Sequence, residues 1–133
     1  MKRKVVYPTI EKIIEYNLLM LTVLKVKKAD KAAVLSRSKI EDVLEECKRT
    51  KGDVYDKAVV LLKGLIQRHA FASGNRRTAF VATKHFLRLN KVKLFVRDNP
   101  KQARAMIGIR EGFYTHEEIK GWIKNGKIKE FKR

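Results

Sequence analysis

Along most of this chain apolar residues recur three and four apart, with charged residues between them, which is the spacing of amphipathic helices. Ile10, Ile13, Ile14, Leu18 and Leu21 form the first such stripe and predict a helix from Thr9 to about Leu24, opened by Pro8. The pattern lapses from Lys25 to Arg37, a basic stretch that reads as a loop or short hairpin. Ser38 and Glu41 then have capping-box spacing. The helix behind them turns Ile40, Val43, Leu44 and Cys47 inward and stops near Lys51-Gly52. Asp53 caps a third helix whose Val59, Val60, Leu61, Leu62, Leu65 and Ile66 cover more than one face, as in a central, buried element. A fourth helix is expected from Asn75 to Leu89, burying Phe80, Phe86 and Leu87, with Asn90 as a left-handed stop.

Val92, Leu94 and Val96 alternate with polar residues, predicting a short strand or extended segment. Asp98-Asn99-Pro100 opens a fifth helix carrying Ala103, Met106 and Ile107. Thr115 and Glu118 form a second capping box, opening a last helix with Ile119, Trp122 and Ile123 that ends at Gly126. The sum is one all-α domain over residues 1–133 with at most a small β element and a basic, mobile tail from about Lys127.

Composition adds a bias in charge. There are 32 Lys and Arg against 14 Asp and Glu, a formal net charge of +18. Such a surface attracts polyanions, whether nucleic acid, nucleotides or an acidic protein. The charge is spread along the chain instead of gathered in one arm, so nucleic acid is not the favoured partner on charge alone. No apolar run is long enough to span a membrane, and no signal-peptide core follows Met1-Lys2-Arg3-Lys4. A cytoplasmic protein is expected. Its lone cysteine, Cys47, lies on an apolar helix face and reads as an inert buried thiol.

The candidate chemistry lies between the third and fourth helices, in His69-Ala70-Phe71-Ala72-Ser73-Gly74-Asn75-Arg76-Arg77-Thr78. A helix N-terminus offers unpaired N–H groups to an anion, and Gly74 lets the chain turn with those groups inward. Arg77 suits bidentate phosphate binding and Arg76 adds charge at the rim. Asn75 can bond a phosphate oxygen or brace the loop, and Phe71 pins the loop to the core. His69 has the one side chain whose ordinary pKa suits proton removal near neutrality. Together these parts describe transfer of a phosphate-containing group to a hydroxyl, with His69 as general base. His85 and His116 read as structural.

This segment resembles the signature of the Fic/Doc family, in which His, Phe, an acidic residue, Gly or Ala, Asn, Gly or Lys, and Arg follow in that order. The likeness extends through Ala79-Phe80, Phe86 to Asn90 and Val92 to Phe95, and more loosely over about residues 5–125. It implies a compact helical bundle around a central helix–loop–helix, and transfer of AMP or phosphate from ATP to a protein hydroxyl. Members of the AMP-transferring branch usually carry Gly where Arg76 stands and a second Arg where Phe80 stands. Basic Arg76 and apolar Phe80 are instead similar to the death-on-curing (Doc) toxins, which phosphorylate a translation factor. The self-inhibitory helix pattern of some relatives is missing here. The resemblance therefore implies a separate antitoxin, and an acidic one suits a basic toxin. The stretch from Lys25 to Arg37 falls where relatives carry a flap that aligns the target segment.

Ser73 departs from the pattern, since relatives hold Mg²⁺ with an acidic residue there. A neutral hydroxyl weakens such a site. Three outcomes stay open: metal-independent catalysis assisted by Arg76 and Arg77, a different metal arrangement, or nucleotide binding without turnover. The rival reading is an inactive module of the same fold that uses its basic surface to bind nucleic acid or an acidic protein.

Overall fold

The computed structural model of the protein describes residues 4–23, 33–97 and 99–132. Its helices are α1 (Ile10–Val23), α2 (Arg37–Arg49), α3 (Val54–Gln67), α4 (Asn75–Leu89), α5 (Pro100–Arg110) and α6 (His116–Asn125). The one β feature among the described residues is an isolated antiparallel bridge between Val34 and Phe71. The expected all-α bundle is what forms. Residues 24–32, most of the expected loop, lie outside the described residues.

Helix α3 is central and packs on α2, α4, α5 and α6. Lys57, Ala58, Val59, Leu61, Leu62, Leu65 and Ile66 are all buried on it, so little of its circumference reaches water. Close approach to α2 relies on Gly64, where an added Cβ would lie 2.8 Å from Val43. Burying Lys57 requires partners for its ammonium. Its Nζ donates to the carbonyls of Cys47, Lys48 and Thr50 at 3.3, 3.1 and 2.7 Å, which caps the negative end of α2. Cys47 is fully buried, and burial pushes its thiol up to about 11, as suits an inert core residue.

Several boundaries and faces differ from the periodic reading, each for a local reason. Helix α2 starts at Arg37 with Ser36 as its N-cap, whose hydroxyl accepts from the Lys39 N–H at 3.3 Å. The Ser38–Glu41 box therefore does not form. On α1 the buried line is Ile13, Tyr16, Asn17 and Leu21, whereas Leu18 is 55% exposed. The buried seam passes through a polar residue, which a count of apolar positions overlooks. On α5, Ala105, Met106 and Ile109 are buried while Ala103 is exposed and Ile107 half-buried. Phe80 is also only half-buried.

Asn90 stays out of the left-handed region, and Lys91 enters it with φ 60°. The Asn90 side chain is engaged elsewhere: it accepts from the Val6 N–H at 2.9 Å and donates to the Val6 carbonyl at 2.8 Å, tying the N-terminal segment to α4. Residues 92–97 form no strand. Val92, Leu94 and Val96 are half-buried, and Phe95 N–H donates to the Ile123 carbonyl at 2.9 Å. The segment expected as a mobile tail lies against α5. Phe131 is 6% exposed, its ring meets Phe113, and its carbonyl accepts from Arg104 Nε.

The expected caps of α3 and α6 form at Asp53 and Thr115, α5 starts within the expected Asp98-Asn99-Pro100 stretch with Asn99 as its cap, and Gly126 ends α6 at φ 75°. Asp56 completes the box with Asp53 and does more. It accepts from His116 Nε2 at 2.9 Å and pairs with Lys120 Nζ at 3.0 Å, clamping α6 to the start of α3. His116 is thus structural, as expected, through its bond to Asp56. Burial pushes the Asp56 carboxyl up, but bonds from His116, Lys120 and the Asp53 N–H outweigh it and hold it well below the usual carboxylate range. A carboxyl depressed in the fold contributes stability above its unfolded value, about 3.9, and loses it as pH falls through the folded value. Asp56→Asn is therefore expected to cost about 2–3 kcal/mol at pH 7. The gap from wild type in urea denaturation should narrow below about pH 4. A gap that is constant down to acid would contradict the ionic clamp.

Candidate active site

The loop between α3 and α4 is held from three sides. On the first, residues 33–36 run beside it: Leu35 and Ser36 N–H donate to the Ala70 carbonyl at 2.8 and 3.1 Å, and Ala72 N–H donates to the Ala33 carbonyl at 2.9 Å. On the second, α1 supplies Asn17, buried at 2% exposure. Its Nδ2 donates to the Ser73 carbonyl at 2.8 Å and to Thr78 Oγ1 at 3.0 Å. From below, Phe71 anchors the loop in the core at 1% exposure.

Asn75 is a brace within the loop. Its Oδ1 accepts from the Phe71 N–H at 3.1 Å and its Nδ2 donates to the Phe71 carbonyl at 2.9 Å. Those two bonds orient the amide, so its nitrogen also faces His69 Nδ1, at 3.2 Å. A donor at Nδ1 makes that atom the ring's acceptor, and the neutral imidazole then carries its proton on Nε2. His69 follows the Arg68 cap of α3 in the left-handed region at φ 53°, which directs the chain away from the helix axis.

Gly74 is the N-cap of α4 at φ 76°, and no side chain caps the helix. The N–H groups of the first turn are thus left for an anion. An added Cβ at Gly74 would come within 3.2 Å of Leu21 and 3.3 Å of Asn17. Glycine is required there both by backbone conformation and by the close approach of α1.

These pieces enclose a cavity of about 390 Å³ lined by Leu21, Ile66, His69, Ala72, Ser73, Gly74, Asn75, Arg76, Arg77 and Arg110. Every site residue named from sequence except the anchor Phe71 lines this cavity. Arg110, from the last turn of α5, also lines it, and nothing in the local sequence marked it. The guanidiniums crowd one another. Burial and then the charges of Arg110 and Arg77 lower the pKa of Arg76, a concentration of positive charge that an anion would relieve. Arg76 and Arg77 also wall a second cavity of about 560 Å³ with a more apolar lining, including Met20, Phe80, Val81, Met106 and Ile107. His85 lines neither cavity and packs edge-on against Tyr16, with ring centroids 5.3 Å apart. Burial, then Lys12 and Arg88, lower its pKa.

The profile of the Fic/DOC family matches residues 7–87, more than half of the chain and all of this loop. The chain belongs to the Fic/DOC family. It is also similar to the protein named Toxin Doc from Mycolicibacterium smegmatis, at 46% identity over 41 residues. That match covers 31% of this chain and 32% of the relative, so the chain aligns with about a third of that protein's length. No helix among the described residues is long and apolar enough to cross a membrane.

Membership of the Fic/DOC family raises the question of Mg²⁺, and the donor set here does not fit it. Mg²⁺ takes hard, anionic oxygens, commonly one or two carboxylates besides those of a phosphate. Among the described residues no carboxylate lines the cavity. Ser73 offers a neutral hydroxyl, its carbonyl is bonded by Asn17, and Asn75 Oδ1 is bonded by the Phe71 N–H.

Proposed function

We propose that this Fic/DOC protein transfers a phosphate-containing group, phosphate or AMP, from ATP to a protein hydroxyl, as the toxin of a pair restrained by an acidic antitoxin. The observation that carries the proposal is the convergence of an imidazole, an uncapped helix N-terminus and three arginines on one cavity. The triphosphate lies over the first turn of α4, held by its N–H groups and by Arg76 and Arg77. The more apolar cavity beyond those arginines supplies surface for the nucleoside. An extended target segment pairs along residues 33–36, the chain beside the loop.

The target hydroxyl oxygen attacks phosphorus as the bond from phosphorus to the leaving phosphate oxygen breaks. His69 takes the hydroxyl proton, while the arginines hold the charge that shifts to the leaving oxygen. Accepting at Nε2 requires the tautomer with its proton on Nδ1, so the ring must give up its bond from Asn75 as substrate binds. Asn75 is thereby a positioning residue that stores the ring in one orientation between turnovers.

The test is incubation of the purified chain and a cell extract with ATP labelled at either the α- or the γ-phosphate. Label on protein from the γ position alone identifies phosphate transfer, and label from the α position identifies AMP transfer. No label from either, with the extract shown to contain the intact acceptor, would reject transfer.

A second reading has its own support. A cleft of about 450 Å³ is lined by Arg97, Lys101, Arg104, Lys127 and Lys129 among others, and none of these residues belongs to the motif. On a chain of net charge +18 it suits a polyanion bound without chemistry. Binding of that kind weakens steeply with salt and is indifferent to substitution of His69.

A further inference from the structure

We propose that this pocket binds the phosphates of its nucleotide without a divalent cation, and that Arg110 supplies the positive charge a cation would otherwise bring. The proposal rests on the nucleotide-binding reading above and concerns how the phosphates are neutralised. Three observations lead to it. The cavity is lined by Arg76, Arg77 and Arg110 and, among the described residues, by no carboxylate. Its oxygen donors are neutral, and the Ser73 carbonyl and Asn75 Oδ1 already accept hydrogen bonds from within the fold. The third arginine comes from a different helix from the other two, so two separate elements bring positive charge to the cavity.

A hydrated divalent cation entering such a site meets fixed like charge and finds no carboxylate among the described residues that line it. A free triphosphate meets guanidiniums that neutralise it and donate in the planar fork its oxygens accept. Arg110 has a plainer employment, since it lies in the last turn of α5 and contacts Glu111 at 3.2 Å. That contact joins sequence neighbours, each about 45% exposed (45% and 44%), and such exposed pairs hold weakly. An anion in the cavity would compete for the guanidinium successfully.

Calorimetric titration of the full chain with ATP, in EDTA and in excess MgCl₂, separates the possibilities. Wild type is expected to bind ATP at least as tightly in EDTA as in Mg²⁺, because complexed ATP presents less charge to the arginines. Arg110→Ala and Arg110→Gln should each weaken binding in EDTA about tenfold, as loss of one charge-assisted phosphate contact does. Their melting temperatures should stay at the wild-type value. Ser73→Asp adds a carboxylate and should reverse the preference, so that Mg²⁺ now strengthens binding. Binding by wild type only with Mg²⁺, or unchanged affinity in both Arg110 variants, would overturn the proposal and leave the nucleotide reading intact. Absence of ATP binding in both buffers would instead remove the nucleotide reading itself, and this proposal with it.

Discussion

His69→Asn is expected to reduce transfer to protein by about 10²–10⁴-fold, the usual contribution of a positioned general base. Asparagine is the better replacement because the backbone at this position sits at φ 53°. Asn tolerates the left-handed region more readily than other non-glycine residues, whereas Ala would add strain unrelated to the chemistry. Its amide can also still meet the nitrogen of Asn75 through its own oxygen, preserving the loop. Binding of ATP should change little, since the phosphates are held by the arginines and the first turn of α4. The informative pattern is therefore a collapsed rate at saturating nucleotide with a near-normal dissociation constant and melting temperature. A His69→Asn protein that labels its target at the wild-type rate would remove the base assignment. Strongly weakened ATP binding with an unchanged saturated rate would reassign the imidazole to phosphate binding through its Nε2–H.

Much of this arrangement was legible in the sequence because it is local. Caps declare themselves within a turn, and the Asp53 and Thr115 caps, the helix opening at Asn99-Pro100 and the stop at Gly126 are in place. The span of α4 and the inward face of α2 follow from spacing alone, as does the central position of α3. Family membership was readable for the same reason, because the motif occupies one contiguous stretch from His69 to Arg77, with Ser73 its one departure.

What escaped the sequence depends on contacts between distant segments. Asn17 is the clearest case. It is a polar residue on a helix seam, and its burial makes sense only once the Ser73 carbonyl and the Thr78 hydroxyl are seen beside it. Arg110 looks like any basic residue ending a helix until α5 docks beside the motif. Leu18 shows the converse, an apolar residue in a convincing stripe that the packing of α1 leaves in solvent. Spacing pointed to Ser38 as the cap of α2, yet Ser36 takes that place, at the end of the segment that pairs with the Ala70–Ala72 edge. Ser73 was visible as a departure from the family pattern, but its consequence depended on the charge of the surrounding wall.

Phe71→Ala should be the most destabilising single change near the site, at about 3–5 kcal/mol. The ring is 1% exposed and among the largest side chains buried in the core, so truncation leaves a cavity that neighbours on several helices cannot fill. For a domain of this size the loss corresponds to a fall of about 10–20 °C in melting temperature. Phe71→Leu keeps most of the volume and should cost under about 1.5 kcal/mol. The two variants separate packing from loop order. Phe71 is held at its backbone by Asn75 and by the bridge to Val34, so its ring is what ties that hydrogen-bonded unit to the core. Without the ring the unit should open more often. Amide hydrogen exchange at Phe71 and Ala72 should then accelerate beyond the rise set by global stability. ATP affinity should fall with it, because a mobile loop must be ordered at the expense of binding. If urea denaturation of Phe71→Ala showed a loss below about 1 kcal/mol, the ring would not be the anchor that its burial indicates. If stability fell but loop exchange kept pace with the global change, the core and the phosphate loop would be one cooperative unit, with Asn17 and Asn75 sufficient to hold the loop in shape.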